Sequence, residues 1–84
     1  MKTFFLTFRS ITQAQRAERA FSRAGMACIL RRTPRWMEEQ GCGYCLRLRL
    51  EEIQPAVRLL RAAQIPFRRV YMQLPGGEVE EVRL

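Results

Sequence analysis

Hydrophobic and polar positions alternate most cleanly over residues 44–50. Tyr44, Leu46, Leu48 and Leu50 fall on one side, and Cys45, Arg47 and Arg49 on the other. A period of two belongs to a strand. Residues 3–8 alternate in the same way, Phe4, Leu6 and Phe8 against Thr3, Phe5 and Thr7, and predict another strand. A third is expected over residues 27–33, closed by Pro34, and a fourth over residues 67–74 with the pair Arg68 and Arg69. Between them the period changes. Ser10-Ile11-Thr12-Gln13 has the form of a capping box, with Ser10 as N-cap and Gln13 reaching back to its amide. Ala14, Ala17, Phe21 and Ala24 follow at helical spacing, and Gly25 stands where a glycine ends a helix. Ile53, Ala56, Val57, Leu60 and Ala63 make a second apolar stripe. It is expected to start at Glu51 and Glu52, where carboxylates suit the positive end of the dipole, and to stop at Ile65-Pro66.

The order strand, helix, strand, strand, helix, strand predicts an α+β, ferredoxin-like two-layer sandwich. In it a βαββαβ chain forms an antiparallel four-stranded sheet with two helices on one face. Tyr44, Leu46 and Leu48 then face the helices, and Cys45, Arg47 and Arg49 occupy the open face. Residues 1–74 make the single domain. Residues 75–84 turn at Pro75-Gly76-Gly77 and continue as an acidic tail, either a short edge strand or loose. Eighty-four residues bury only about two-thirds of their extended surface, so the core will be thin. No apolar run approaches the length of a bilayer span and no signal-peptide core follows the start, so a cytoplasmic, soluble domain is the expectation.

Composition narrows the chemistry by what it omits. There is no His, Asp or Asn, and Lys2 is the only lysine. That excludes a Ser-His-Asp triad and a His-based metal site. Eight glutamates, fourteen arginines, two tyrosines and three cysteines remain. The formal charge of +7 favours anionic partners, although GC-rich coding gives the same arginine excess. Ferredoxin-like frames host carriers, regulators, RNA binders and enzymes alike, so function must come from a site.

The candidate site is Cys42-Gly43-Tyr44-Cys45, at the start of the third strand. Zinc lacks ligands within one chain, because only Cys28 remains and there is no His. A thioredoxin-type pair would lie at a helix N-terminus, whereas this one precedes a strand. The third reading is one working thiol, with a plain turn as its bland rival. Gly41 and Gly43 leave Cys42 unshielded and let backbone amides converge on an anion, and Arg35 in the same loop favours thiolate. Cys28 reads as a small hydrophobe. Cys45 reads as a resolving thiol or a sheet-surface residue, and Trp36 as a lid or a packing anchor.

Thr7-Phe8-Arg9-Ser10, a helix, Thr33-Pro34-Arg35, Cys42-Gly43 opening a strand, a second helix and Ile65-Pro66-Phe67 through Tyr71 come in an order that resembles the selenium/sulfur carrier protein-like domains. The resemblance runs from Thr3 to Leu74. It implies a ferredoxin-like fold and selenium or sulfur held on Cys42 as a persulfide or selenopersulfide, with no other cofactor and no metal. It also implies a carrier, not an autonomous enzyme, supplied by a donor such as a cysteine desulfurase-type enzyme and emptied by an acceptor enzyme. Arg35, Gly41, Gly43 and Trp36 become the binding surroundings. The chain departs from the pattern in Glu38-Glu39-Gln40-Gly41, where small hydroxyl residues are expected, in a loop about one residue longer, and in the extra Cys45.

Two other classes compete. An RNA or other anion binder would use the basic open sheet face, with Arg47, Arg49, Arg68 or Arg69 and a ring such as Phe5 or Tyr71. The third strand, however, lacks the aromatic-rich signature of RNA-recognition motifs. A small regulatory or dimerisation domain is the other, since exposed strand edges leave room for a homodimer. No membrane partner is expected.

Overall fold

The computed structural model describes residues 1–34 and 43–84. Its elements are β1 (Lys2–Thr7), α1 (Ile11–Arg23), β2 (Cys28–Arg32), β3 (Tyr44–Leu50), α2 (Gln54–Ala62), β4 (Val70–Gln73) and β5 (Val79–Val82). The sheet order is β2-β3-β1-β4-β5, every neighbouring pair antiparallel. Among the described residues the class is α+β with two helices, and the expected count of four strands is corrected to five. Of the two alternatives for the tail, the edge strand is the one present: Val79 to Val82 pair with Gln73 to Val70. The turn closes through Gly77 N–H donating to Leu74 O at 2.9 Å, with Gly77 at φ +93°, where a side chain would be strained. Valines at both ends of β5 and the Arg69–Glu81 ion pair at 3.0 Å give this short acidic segment its reason to pair.

Register fixes the faces. Phe4 lies opposite Leu48 and Met72, and Leu6 opposite Leu46 and Val70. These side chains form one cluster with Ala14, Ala17 and Phe21 of α1 and Ala56, Val57 and Leu60 of α2. Both helices therefore pack on the same side of the sheet, and Leu46 and Leu48 face them as the alternation requires. None of the helices is long and apolar enough among the described residues to cross a membrane.

Local chemistry sets the element ends. Ser10 Oγ accepts from Gln13 N–H at 3.2 Å, but the Gln13 side chain accepts from Arg16 at 2.9 Å, so the expected box is only half made. The end of α1 is a Schellman motif. Met26 N–H donates to Phe21 O at 2.8 Å and Gly25 N–H to Ser22 O at 3.1 Å, with Gly25 at φ +76°. The α2 start moves from the expected Glu51 to Gln54. The physical reason is Pro55: a helix begun at Glu51 would need a proline N–H to bond back to it. Glu52 instead pairs with Lys2 at 3.1 Å, an exposed contact of little energetic weight. The fourth strand is shorter than expected because Thr7 interrupts the ladder. Its carbonyl accepts from Arg68 N–H at 2.8 Å and its hydroxyl from Arg69 N–H at 3.1 Å.

Candidate functional site

The loop that holds the predicted thiol is tied at its base. Thr33 N–H donates to Gly43 O at 2.7 Å, one step beyond the last pair of the β2–β3 hairpin, Arg32 with Tyr44. Gly43 sits at φ +79°, the left-handed region where a side chain costs about 1–2 kcal/mol. The glycine of the Cys-Gly pair is therefore required by the backbone, whatever else it does. The Arg32 guanidinium stands 5.3 Å from the centre of the Tyr44 ring, a cation–π contact that braces the same end of the hairpin. Arg35, Trp36, Gly41 and Cys42 lie outside the described residues.

Beside this base, the sheet face turned away from the helices is not uniformly open, which corrects the expectation for it. Arg49 and Arg31 are exposed there. Cys45 is 1% exposed, Thr7 6%, Tyr71 8% and Thr33 9%. Thr7 and Cys45 are direct partners across β1 and β3, and Cys45 also faces Arg31 across β2. Among the described residues the Thr33 hydroxyl has no hydrogen-bond partner. Thr33 is the residue that sequence reasoning passed over. It enters the sequence pattern only within Thr33-Pro34-Arg35, although a buried threonine ending a strand before proline is itself a signal. Tyr71, a candidate for base stacking, keeps its ring inside this buried set.

Cys28 occupies the other face, opposite Leu48 and at the rim of the core. It lines a hollow with Glu18, Arg19, Ser22 and Met26. Burial, and then the Glu18 carboxylate, push its thiol above the ordinary 9.0, so it stays protonated near neutral pH. Among the described residues no group of three or more Cys or Glu side chains is placed to hold a metal ion.

A family model described as "Putative Se/S carrier protein-like" matches residues 3–72. No curated protein and no solved structure matches the chain.

Proposed function

The chain belongs to the Se/S carrier protein-like family, and we propose that it holds selenium or sulfur on Cys42 and passes it between partner proteins, without being an autonomous enzyme. One observation singles out Cys42: the other two thiols are poorly suited. Cys45 is shut off from solvent, and Cys28 is held protonated by burial and Glu18. A carrier needs an accessible thiolate and little else. Cys42 adjoins Gly43, whose backbone is fixed against Thr33. Arg35, in the same loop, supplies a cation to favour thiolate and steady the anionic chalcogen, with Gly41 and Trp36 as its surroundings. We read β1 to β4 with the two helices as the ferredoxin-like frame, and β5 as its extension.

The chemistry is exchange with no net oxidation. The Cys42 thiolate attacks the outer sulfur of a donor persulfide, R–S–SH; the donor S–S bond breaks, R–S⁻ leaves, and Cys42–S–SH forms. An acceptor nucleophile attacks the same outer sulfur, and the Cys42 thiolate leaves. Selenium follows the same path. If Cys45 resolves a loaded Cys42, the products are a Cys42–Cys45 disulfide and hydrosulfide, and Cys45→Ser removes that product while leaving loading intact. The deciding test is competitive alkylation of the folded protein near pH 7, read at each cysteine by mass, together with sulfur uptake from glutathione persulfide. Cys42 should react first and Cys42→Ser should abolish uptake. A Cys42 that alkylates no faster than Cys28 would sink the proposal.

A further inference from the structure

At the corner of the sheet where β4 begins and β5 ends, five arginines from four separate stretches of chain come together. Arg9 follows β1, Arg61 lies in the last turn of α2, Arg68 and Arg69 precede β4, and Arg83 follows β5. Arg61, Arg68, Arg69 and Arg83 line a hollow of about 550 Å³, and Arg9 lines a second one that shares Arg68 and Arg69 with it. Arg69 and Arg83 each lie one residue beyond the Val70–Val82 pair, so like charges end neighbouring strands. Such placement is unfavourable unless something neutralises it. Glu81 is the one carboxylate side chain lining either hollow among the described residues, and it is paired with Arg69. Arg9, Arg61, Arg68 and Arg83 have no ion pair among the described residues.

Phe67 lines both hollows and also a third, apolar groove with Leu60, Ile65 and Pro66. An acidic peptide would use the guanidinium groups alone. A ligand that alternates anionic groups with flat apolar rings uses the arginines, the Phe67 ring and the groove together. Guanidinium forks match phosphate oxygens in pairs, and rings stack bases without regard to sequence. We infer that this corner binds a single-stranded polynucleotide, its phosphates on Arg9, Arg61, Arg68 and Arg83 and a base against Phe67. The site takes in Arg68 and Arg69, two of the arginines expected to serve an RNA-binding sheet face, but neither Arg47 nor Arg49, and it does not depend on Cys42.

The experiment is fluorescence anisotropy of the full chain with a labelled single-stranded oligouridylate, titrated at several salt concentrations. The double variant Arg68→Gln with Arg83→Gln should bind at least tenfold more weakly. Arg19→Gln with Arg23→Gln, which removes the same charge from α1, should change affinity less than twofold. The slope of log affinity against log salt should shrink by about 1.4 for the corner variant, roughly 0.7 for each phosphate it no longer neutralises. Phe67→Leu, which keeps an apolar side chain at that position, should weaken binding about fivefold or more by removing a stacking ring. Equal losses in the two double variants would mean diffuse charge attraction and overturn the proposal. So would displacement of the oligouridylate by polyglutamate at equal charge as readily as by unlabelled RNA, which would assign the corner to acidic proteins.

Discussion

The two faces of this sheet both bury side chains, but of different kinds. Toward the helices the buried set is Phe4, Leu6, Leu46, Leu48 and Val70, all hydrocarbon. On the other face it is Thr7, Thr33, Cys45 and Tyr71, each carrying oxygen or sulfur. Hydrocarbon burial is non-directional and roughly proportional to area, so the first face supplies stability with little demand on geometry. Buried hydroxyls and thiols count as favourable only when hydrogen-bonded. A fold that shields them on one face, beside the base of the cysteine loop, has spent part of a thin core on polar atoms. The contrast separates the faces: the helix face holds the chain together by hydrocarbon packing, and the opposite face shields polar side chains beside Gly43.

The largest effect should come from breaking the hydrocarbon side. Leu46 is fully buried under the helices and opposite Leu6. Leu46→Ala should cost about 2–5 kcal/mol, the range for buried leucine truncation, in a urea melt. A loss below about 1 kcal/mol would mean the helix face does not carry the stability assigned to it.

Much of that face is legible in the sequence. The alternation over residues 44–50 gave β3 and the side it buries, and Ser10 and Gly25 marked the ends of α1, because caps and periodicity are local signals. What could not be read depends on partners far along the chain. β5 needs β4 beside it, since VEEV has only two apolar positions. The α2 start turns on one missing proline N–H, at Pro55, which outweighs the favourable charges of Glu51 and Glu52. The shielding of Cys45 overturns the expected open face and not its alternation with Leu46, because a period of two tells which face a residue takes and not what else lies over it. Of the candidate site, Gly43 and Cys45 fall in the described chain, and Cys42, Arg35, Trp36 and Gly41 rest on the resemblance and on spacing.

The next effect compares the thiols of the two faces directly. At pH 9.5 in native protein, Cys28 should alkylate about 100-fold faster than Cys45. Cys28 is half-buried at the rim, whereas Cys45 must wait for the sheet to open. Comparable rates, measured by quenched labelling and mass mapping, would erase the distinction between the faces at this point.

Cys28 also titrates in a way that sharpens the comparison. Its folded pKa lies above the unfolded one, first through burial and then through Glu18. The folded state thus keeps its proton longer, and the stability this group contributes is complete below the ordinary 9.0 and declines as pH rises through the folded value. Glu18→Gln should move the Cys28 alkylation profile to lower pH and soften that decline. The Cys45 rate should stay unchanged, because Glu18 belongs to α1 on the far side of the sheet. A profile that does not move would leave burial as the whole cause.

The smallest effect tests the polar face at its weakest point. Thr33 Oγ1 is buried and lacks a hydrogen-bond partner among the described residues, although the Thr33 backbone is firmly held by Gly43 at 2.7 Å. An unmet buried hydroxyl costs about 1–3 kcal/mol of desolvation, part of which valine, nearly the same shape, recovers. Thr33→Val should therefore raise stability by about 1 kcal/mol, seen as a higher urea midpoint at unchanged slope. Thr33→Ser, which keeps the hydroxyl and loses a methyl, should lower it. The same substitution at Thr7 should go the other way, because its hydroxyl accepts from Arg69 N–H and Thr7→Val leaves that donor unpaired. If Thr33→Val and Thr7→Val both destabilise, the Thr33 hydroxyl has a partner in solution. The opposite signs are what the contrast between an unmet and a satisfied hydroxyl on one buried face requires.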